Sequence, residues 1–186
     1  MSSYKDFWID AKKKVRLFEK LDDADVVFGA NTRGWGHKYK IYPIMAEPEI
    51  LAIEKEKNIS LPEEFRFYLS FFGAGGAGPD YGVENFRETF KKTEFEKPFV
   101  YTELSKQTGD ICDNEPIKDF EGLIYVGKAG CGSDYYLELL GDNIGMVWCN
   151  WGDGGCNSEG NFCNFYSRWL EKVELDLKRY QKLKER

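Results

Sequence analysis

This chain has little histidine, and it carries no excess of positive charge. One histidine occurs among 186 residues, whereas nucleophilic catalysis by serine or cysteine usually needs a histidine base. Lysine and arginine total 26 against 32 aspartate and glutamate residues, which gives a net charge of −6. Nucleic-acid-binding surfaces have the opposite balance. We therefore expect no catalytic residues and no nucleic-acid partner, whereas an acidic surface favours basic partners.

The sequence also has no long apolar run. The longest stretch without a charged residue, 67–79, is thirteen residues long and contains four glycines, so it is too short to cross a bilayer. The first residues, MSSYKDFWIDAKKKV, place acids and lysines where a secretory signal needs a continuous apolar segment. We expect a cytoplasmic protein that does not contact a membrane. Its five cysteines should then be free thiols.

Hydrophobic residues make up 42% of the chain and aromatic residues 16%. This composition is typical of a packed globular protein and not of a disordered one. The length is sufficient to bury one core, so we expect a single domain over residues 1–186.

Helical periodicity marks both ends of the chain. Apolar residues at helical spacing predict an amphipathic helix over about residues 4–21 and another over about 167–185. Between them, Pro48 and Pro62 occupy favoured first positions of two further helices. Gly73 is a natural left-handed stop for the second of these.

Strand patterns begin after residue 122. Three apolar segments with turn residues between them predict strands, namely LIYVG, DYYLELLG and IGMVWCNW. Residues 99–119 contain threonines, Gly109 and Pro116, and are interpreted as a long connection. The order of helices, then strands, then a last helix predicts an α+β fold and not the alternation of a parallel sheet.

The sequence GAGGAG, residues 73–78, fits the dinucleotide-binding pattern GxGxxG without its structural context. That site needs a strand before the glycines and a helix after them, whereas here a predicted helix precedes them and the turn sequence PDYG follows. A phosphate loop would continue with Lys and then Ser or Thr, but the chain has Pro79 and Asp80. We predict no nucleotide or other cofactor, and interpret the segment as a helix stop followed by a closely packed turn.

The same region resembles the signature of a known family. The shared features are a Leu-Pro pair that opens a helix, an acidic pair, an aromatic residue and a glycine turn, here Leu61, Pro62, Glu63, Glu64, Phe65, Gly73, Gly75, Gly76 and Gly78. This pattern is similar to that of the SUKH superfamily, which includes bacterial immunity proteins and fungal regulators of cell-wall glucan synthesis. Ala74 departs from it, because many members carry Asn at that position.

The resemblance extends over about residues 45–177. It includes PEILAIEKEKNI, the segment VGKAGCGSDYYLELLGDNIGMVW with Asp134, and the closing NFYSRWLEKV. It implies a single curved, mainly antiparallel sheet with helices packed against it, which binds proteins without catalysis. Bacterial members commonly bind and neutralise a toxin, often a nuclease. The resemblance therefore implies an immunity protein with no small-molecule substrate or, alternatively, a regulatory scaffold like the fungal relatives.

The cysteines raise two further possibilities, a catalytic pair with histidine and a zinc site. His37 and Cys131 could form a base and nucleophile pair, although nothing in their spacing supports it. Cys149, Cys156 and Cys163 recur every seven residues, but they lack the short CxxC hairpin that places two thiolates on one zinc ion. We therefore predict no metal site.

The loop after the third strand combines acids with a tryptophan. Its sequence WGDGGCNSEGN is only partly similar to a calcium loop, because the order of acids and glycine does not match the twelve-residue pattern. Buried aromatic residues supply affinity in protein interfaces, and charge accelerates association. We therefore predict that a protein partner, a basic toxin domain, contacts Asp142, Trp151, Asp153 and Glu159. The alternative is that Trp151 belongs to the core and the acids are only solvated.

Overall fold

The computed structural model describes residues 3–31, 36–100, 121–151 and 156–185. Its helices are α1 (Tyr4–Leu21), α2 (Glu47–Lys57), α3 (Glu63–Phe67), α4 (Phe86–Lys92) and α5 (Phe162–Lys184). Its strands are β1 (Leu123–Gly130), β2 (Ser133–Glu138), β3 (Met146–Asn150) and β4 (Cys156–Asn161). The strands form one open antiparallel sheet in the order β1-β2-β3-β4. The predicted α+β class, with helices packed against an antiparallel sheet, is confirmed.

Local chemistry explains where the first two helices begin and end. Ser3 and Asp6 form a capping box at the start of α1, in which each side chain bonds the other residue's main-chain N–H. In α2, the proline lies within the first turn, where a missing N–H costs no helical hydrogen bond. Asn58 then ends α2 in the left-handed conformation, with φ of 52°.

The third helix does not end as the sequence predicts. A π-helical turn, Tyr68–Phe72, continues α3, and Gly73 follows with φ of 165° and ψ of 166°. This is extended backbone, so the prediction of a left-handed stop at Gly73 is wrong. The chain leaves the helix directly in an extended conformation because the next residues join the sheet region.

The last helix begins at Phe162 and not at the predicted Ser167. The side chain of Asn161 caps it by accepting a hydrogen bond from the N–H of Asn164, at 2.8 Å. The helix α4 and the strand β4 are additional elements that the sequence patterns did not predict.

An aromatic core lies between the helices and the inner face of the sheet. Trp8 of α1 is fully buried, with its ring centroid 4.6 Å from that of Tyr68 and 4.9 Å from that of Tyr166. The sheet contributes buried aliphatic residues to the same core, namely Ile124, Val126, Leu137, Leu139 and Val147. A smaller cluster of Phe99, Leu123 and Trp148 forms a second group of buried residues. Within the described ranges, no helix is both long and apolar enough to span a bilayer.

The glycine turn attaches the 36–42 loop to the sheet. Gly76 bridges Ile41 on one side and Val83 on the other, and the N–H of Glu84 donates to the carbonyl of Val126 in β1 at 2.7 Å. A Cβ on Gly76 would lie 2.2 Å from the carbonyl oxygen of Lys40, so only glycine permits this approach. These short segments therefore extend the sheet beyond β1.

Candidate partner-binding site

The sheet has two ends with different structures. At one end lie the β1–β2 hairpin, the last residue of β3 and the first residue of β4, since Asp134 pairs with Asn150 and Asn150 with Cys156. We call this the open end. At the other end, residues 139–145 connect β2 to β3, and we call it the closed end.

Trp151 follows β3 directly at the open end, with 46% of its surface exposed. The alternative that Trp151 is a core residue is therefore wrong. Its indole Nε1 donates a hydrogen bond to Oδ1 of Asn157. Nδ2 of Asn157 donates in turn to Oε1 of Glu159, at 3.1 Å. Trp151 is thus exposed but held in place by the neighbouring strand.

Glu159 belongs to the same network. Nη2 of Arg168 in α5 donates to the carbonyl oxygen of Glu159 at 2.6 Å and to its Oε2 at 2.5 Å. The structure therefore brings Trp151 and Glu159 together, with the acid partly neutralised by an arginine. Asp153 lies outside the described residues.

Asp142 does not join this group. It is an exposed residue of the closed end, and strand β3 separates it from Trp151, which lies at the strand's other end. A five-residue strand spans roughly 17 Å, so one small contact patch cannot include both residues. The closed end is instead organised around Glu138, whose carboxylate accepts hydrogen bonds from the N–H of Asn143 at 2.6 Å and Nε1 of Trp148 at 2.9 Å.

A groove of about 940 Å³ lies at the open end beside β1. Its walls are the 36–42 loop, residues 81–84 and the β1–β2 hairpin, and its side chains include His37, Lys40, Tyr42, Tyr81, Lys128 and Asp134. No sequence pattern predicts this groove. The chain's single histidine, directly after Gly36, was a visible signal, but the contact of its loop with the hairpin depends on the fold.

His37 is the most deeply buried polar side chain of the groove's loop wall. It is 8% exposed, and its ring packs edge-on against Tyr39 and Trp169, with centroids 5.2 and 5.5 Å away. Nδ1 accepts a hydrogen bond from the N–H of Tyr39 at 3.0 Å. Burial lowers the pKa of His37 to about 4, because the charged imidazolium would lose its hydration.

Cys131 lies in the same groove, in the hairpin turn. In the part of the chain that the structure describes, no hydrogen bond joins its thiol to His37. An imidazole with a pKa of about 4 is also a weak general base near neutral pH. The geometry therefore does not form the cysteine and histidine pair that nucleophilic catalysis requires.

The three cysteines at seven-residue spacing pack in different surroundings. Cys156 packs against the smaller apolar cluster and Cys163 against the main core. Burial raises the pKa of Cys149 to about 12 and that of Cys156 to about 11, whereas zinc binds thiolates. Among the residues described, no group of three or more His, Cys, Asp or Glu side chains could hold a metal ion.

The signature residues stabilise the fold around this site. Pro62 is the N-cap of α3, and the N–H of Leu61 donates to Oε1 of Glu54 at 2.8 Å. The amides of Gly76 and Ala77 donate to main-chain carbonyls at 2.7 and 2.6 Å, so they are used within the fold. The other signature glycines are closely packed, because a Cβ on Gly73, Gly75 or Gly78 would lie 2.4, 2.0 or 2.6 Å from its nearest neighbouring atom. Asp134 accepts a hydrogen bond from the hydroxyl of Tyr125.

Comparison with known proteins identifies the family. The family model described as SMI1 / KNR4 family (SUKH-1) matches residues 45–167, more than half of the chain. No curated protein matches the chain, and neither does any solved structure. The matched region contains the signature, the whole sheet and Trp151, whereas His37 precedes it. The predicted SUKH relationship is confirmed, and the chain belongs to the SMI1/KNR4 family (SUKH-1).

Proposed function

We propose that this chain is a non-catalytic protein-binding module that acts in the cytoplasm as an immunity protein and neutralises a nuclease-type toxin. Membership of the SUKH family supports a protein partner. The observation that carries the proposal is the exposed side chain of Trp151, held by Asn157 beside the acidic Glu159. Large exposed apolar side chains next to polar groups are typical of protein interfaces.

The chemistry of this patch fits a basic partner. Tryptophan loses little conformational entropy on binding and buries a large area, which makes it a frequent centre of binding energy. The net charge of −6 accelerates the encounter with a positively charged toxin domain. We therefore place the partner's contact at Trp151, Glu159 and, from the sequence, Asp153. Asp142 remains a candidate only for a partner large enough to reach both ends of the sheet.

A regulatory scaffold is the second candidate function. The observation that favours it is the presence of two separate surfaces, since the groove lies beside β1 and Glu159 lies on β4, at opposite edges of the sheet. Such an arrangement allows two proteins to bind at once. A complex with one toxin domain per chain favours the immunity function, whereas a ternary complex favours the scaffold.

The test examines each basic nuclease-type domain encoded by a neighbouring gene, with binding measured by surface plasmon resonance and inhibition by nuclease assay. We expect Trp151→Ala to weaken binding about 30-fold, since loss of a central aromatic costs about 2 kcal/mol. Glu159→Lys should slow association and flatten its salt dependence.

The matched control is Glu56→Lys, which makes the same charge change on the exposed surface of α2. It should alter association less than Glu159→Lys does. Equal effects of the two reversals, together with unchanged binding by Trp151→Ala, would remove the open-end patch from the proposed interface.

A further inference from the structure

Positive charge is concentrated on one face of α1. The helix has six basic and three acidic residues, although the whole chain has a net charge of −6. Five of the basic residues and one exposed isoleucine recur at spacings of three or four, which places them on one face of the helix, namely Lys5, Ile9, Lys12, Lys13, Arg16 and Lys20. We call this the basic face of α1. At 1.5 Å per residue it extends over about 22 Å.

A cleft of about 370 Å³ lies between this face and residues 39–44. We call it the α1 cleft. Its lining has three cations and one acid, namely Lys12, Arg16, Lys40 and Glu19. Tyr42 and Ile44 add apolar surface, and they are 41% and 48% exposed. Cationic and apolar groups therefore meet in one concave surface.

The cations of the α1 cleft are not neutralised within the fold. In the part of the chain that the structure describes, no ion pair joins Lys12, Arg16 or Lys40 to an acid. In contrast, Nζ of Lys14 in the same helix lies 3.0 Å from Oε1 of Glu174. Burial lowers the pKa of Lys12, and the positive charge of Arg16 lowers it further. An anion in the cleft would relieve this repulsion.

The ammonium group of Lys12 is held in place. Its Nζ donates to the carbonyl oxygen of Phe71 at 2.6 Å and lies 5.2 Å from the centroid of the Phe71 ring. An ammonium has three N–H donors, so this bond leaves donors for an anion. A side chain that is already ordered loses less conformational entropy when it binds. Lys12 is therefore prepared to contact a carboxylate.

Length, charge and apolar surface together indicate the kind of ligand. A single small anion would occupy only the α1 cleft, whereas the basic face continues from Lys5 to Lys20. A nucleic acid presents negative charge over a wide area, which the net charge of −6 would repel. An anionic membrane does so too, and its surface cannot enter a concave cleft. An acidic polypeptide segment with apolar side chains matches all three features.

We propose that the α1 cleft binds an acidic segment of a protein partner. Carboxylates of the segment contact Lys12, Arg16 and Lys40, and an apolar side chain packs against Ile44. This inference goes beyond the proposed function, because the contact proposed at Trp151 is with a basic partner, whereas this surface fits an acidic one. The four contact residues also precede residues 45–167, which the family model matches.

The test selects random peptides displayed on phage against the full-length chain and measures the affinity of the enriched peptides by fluorescence anisotropy. We expect the enriched sequences to combine Asp or Glu with apolar residues. Arg16→Glu should weaken their binding about tenfold, because a repulsion replaces an attraction. Ile44→Ser should weaken it about threefold through the loss of apolar contact. Added salt should weaken binding to the wild type.

The matched control is Lys55→Glu, which makes the same charge change at an exposed position of α2. It should change peptide affinity by less than about twofold, because solvent and salt screen a charge outside the cleft. Trp151→Ala should leave peptide binding unchanged. The proposal for the α1 cleft and the proposal for Trp151 can therefore fail independently.

Nuclear magnetic resonance of the Lys12 ammonium provides a readout that a change in overall charge alone would not move. The pKa of Lys12 should rise when an enriched acidic peptide binds, because a nearby carboxylate favours the charged form. The proposal is overturned if no acidic peptide is enriched, if Arg16→Glu binds the enriched peptides no more weakly than Lys55→Glu does, or if the pKa of Lys12 does not change. It is also overturned if single-stranded DNA or phosphatidylglycerol vesicles bind this face and peptides do not.

Discussion

The two ends of the sheet use their polar groups differently. At the closed end, Glu138 is fully buried, and its carboxylate is bonded to Asn143 and Trp148. At the open end, Nε2 of His37 and Oδ1 of Asn150 are buried without a partner among the described residues, and Trp151 is exposed. The buried polar group of the closed end is therefore satisfied within the fold, whereas the open end combines two unsatisfied buried atoms with an exposed tryptophan.

Asp142 illustrates what this difference means for a site prediction. Burial is the main reason that the pKa of Glu138 is raised, and the negative charge of Asp142 raises it further. The negative charge of Asp142 therefore acts on Glu138, the buried acid of the closed end. An acidic residue near a tryptophan in sequence need not share its surface, because a strand separates the two.

The largest expected effect is on stability at the closed end. Glu138→Ala leaves two donors unsatisfied, each at a cost of roughly 1–3 kcal/mol, so we expect the free energy of unfolding to fall by about 4 kcal/mol. Glu138→Gln keeps one acceptor oxygen and should cost less. Trp151→Ala at the open end should change stability by less than about 0.5 kcal/mol. Urea denaturation measures all three, and equal losses for Glu138→Ala and Trp151→Ala would contradict the contrast between the ends.

The pH dependence of stability tests the burial of His37 at the open end. Its folded pKa of about 4 lies below the usual 6.5, so the unfolded chain binds the proton more readily between these values. The stabilising effect is complete above the unfolded pKa and is lost as the pH falls toward the folded one. Between pH 7 and pH 5, the wild type should lose about 2 kcal/mol more than His37→Asn does.

Urea denaturation of both proteins at the two pH values measures this difference. The carboxylates are common to both chains, so their contribution cancels. Parallel losses in the wild type and His37→Asn would show that His37 titrates normally and is not buried as a neutral ring.

The strand β4 and the helix α4, which the sequence patterns did not predict, lack a hydrophobic periodicity. The strand β4, with sequence CNSEGN, has neither alternation nor β-branched residues, and its pairing with β3 decides its conformation. The short helix α4 lies in a mixture of aromatic and charged residues. The start of α5 was misplaced because Ser167 and Asn161 are both acceptable N-caps. The aromatic residues Phe162, Phe165 and Trp169, which are buried on one side of α5, decide between them.

The candidate site was predictable only in part. Residues on either side of one predicted strand must lie at opposite ends of it, so the sequence already contained the signal that separates Asp142 from Trp151. The groove, in contrast, could not be predicted from the sequence. It forms where the 36–42 loop meets a hairpin that begins beyond residue 120, and contacts between distant segments leave no local pattern.

The smallest expected effect concerns the ion pair at the open end. Arg168 is half exposed, and its partner Glu159 is less so, so Arg168→Ala should lower stability by less than about 1 kcal/mol. The matched control is Arg179→Ala in the same helix, where the arginine lies 3.8 Å from Asp176. Added salt should remove most of any difference between the two variants. If the open end serves a basic partner, freeing Glu159 should also accelerate association with it. A much larger loss of stability in Arg168→Ala would mean that the open end is held together by its own charges, and the contrast with the closed end would then fail.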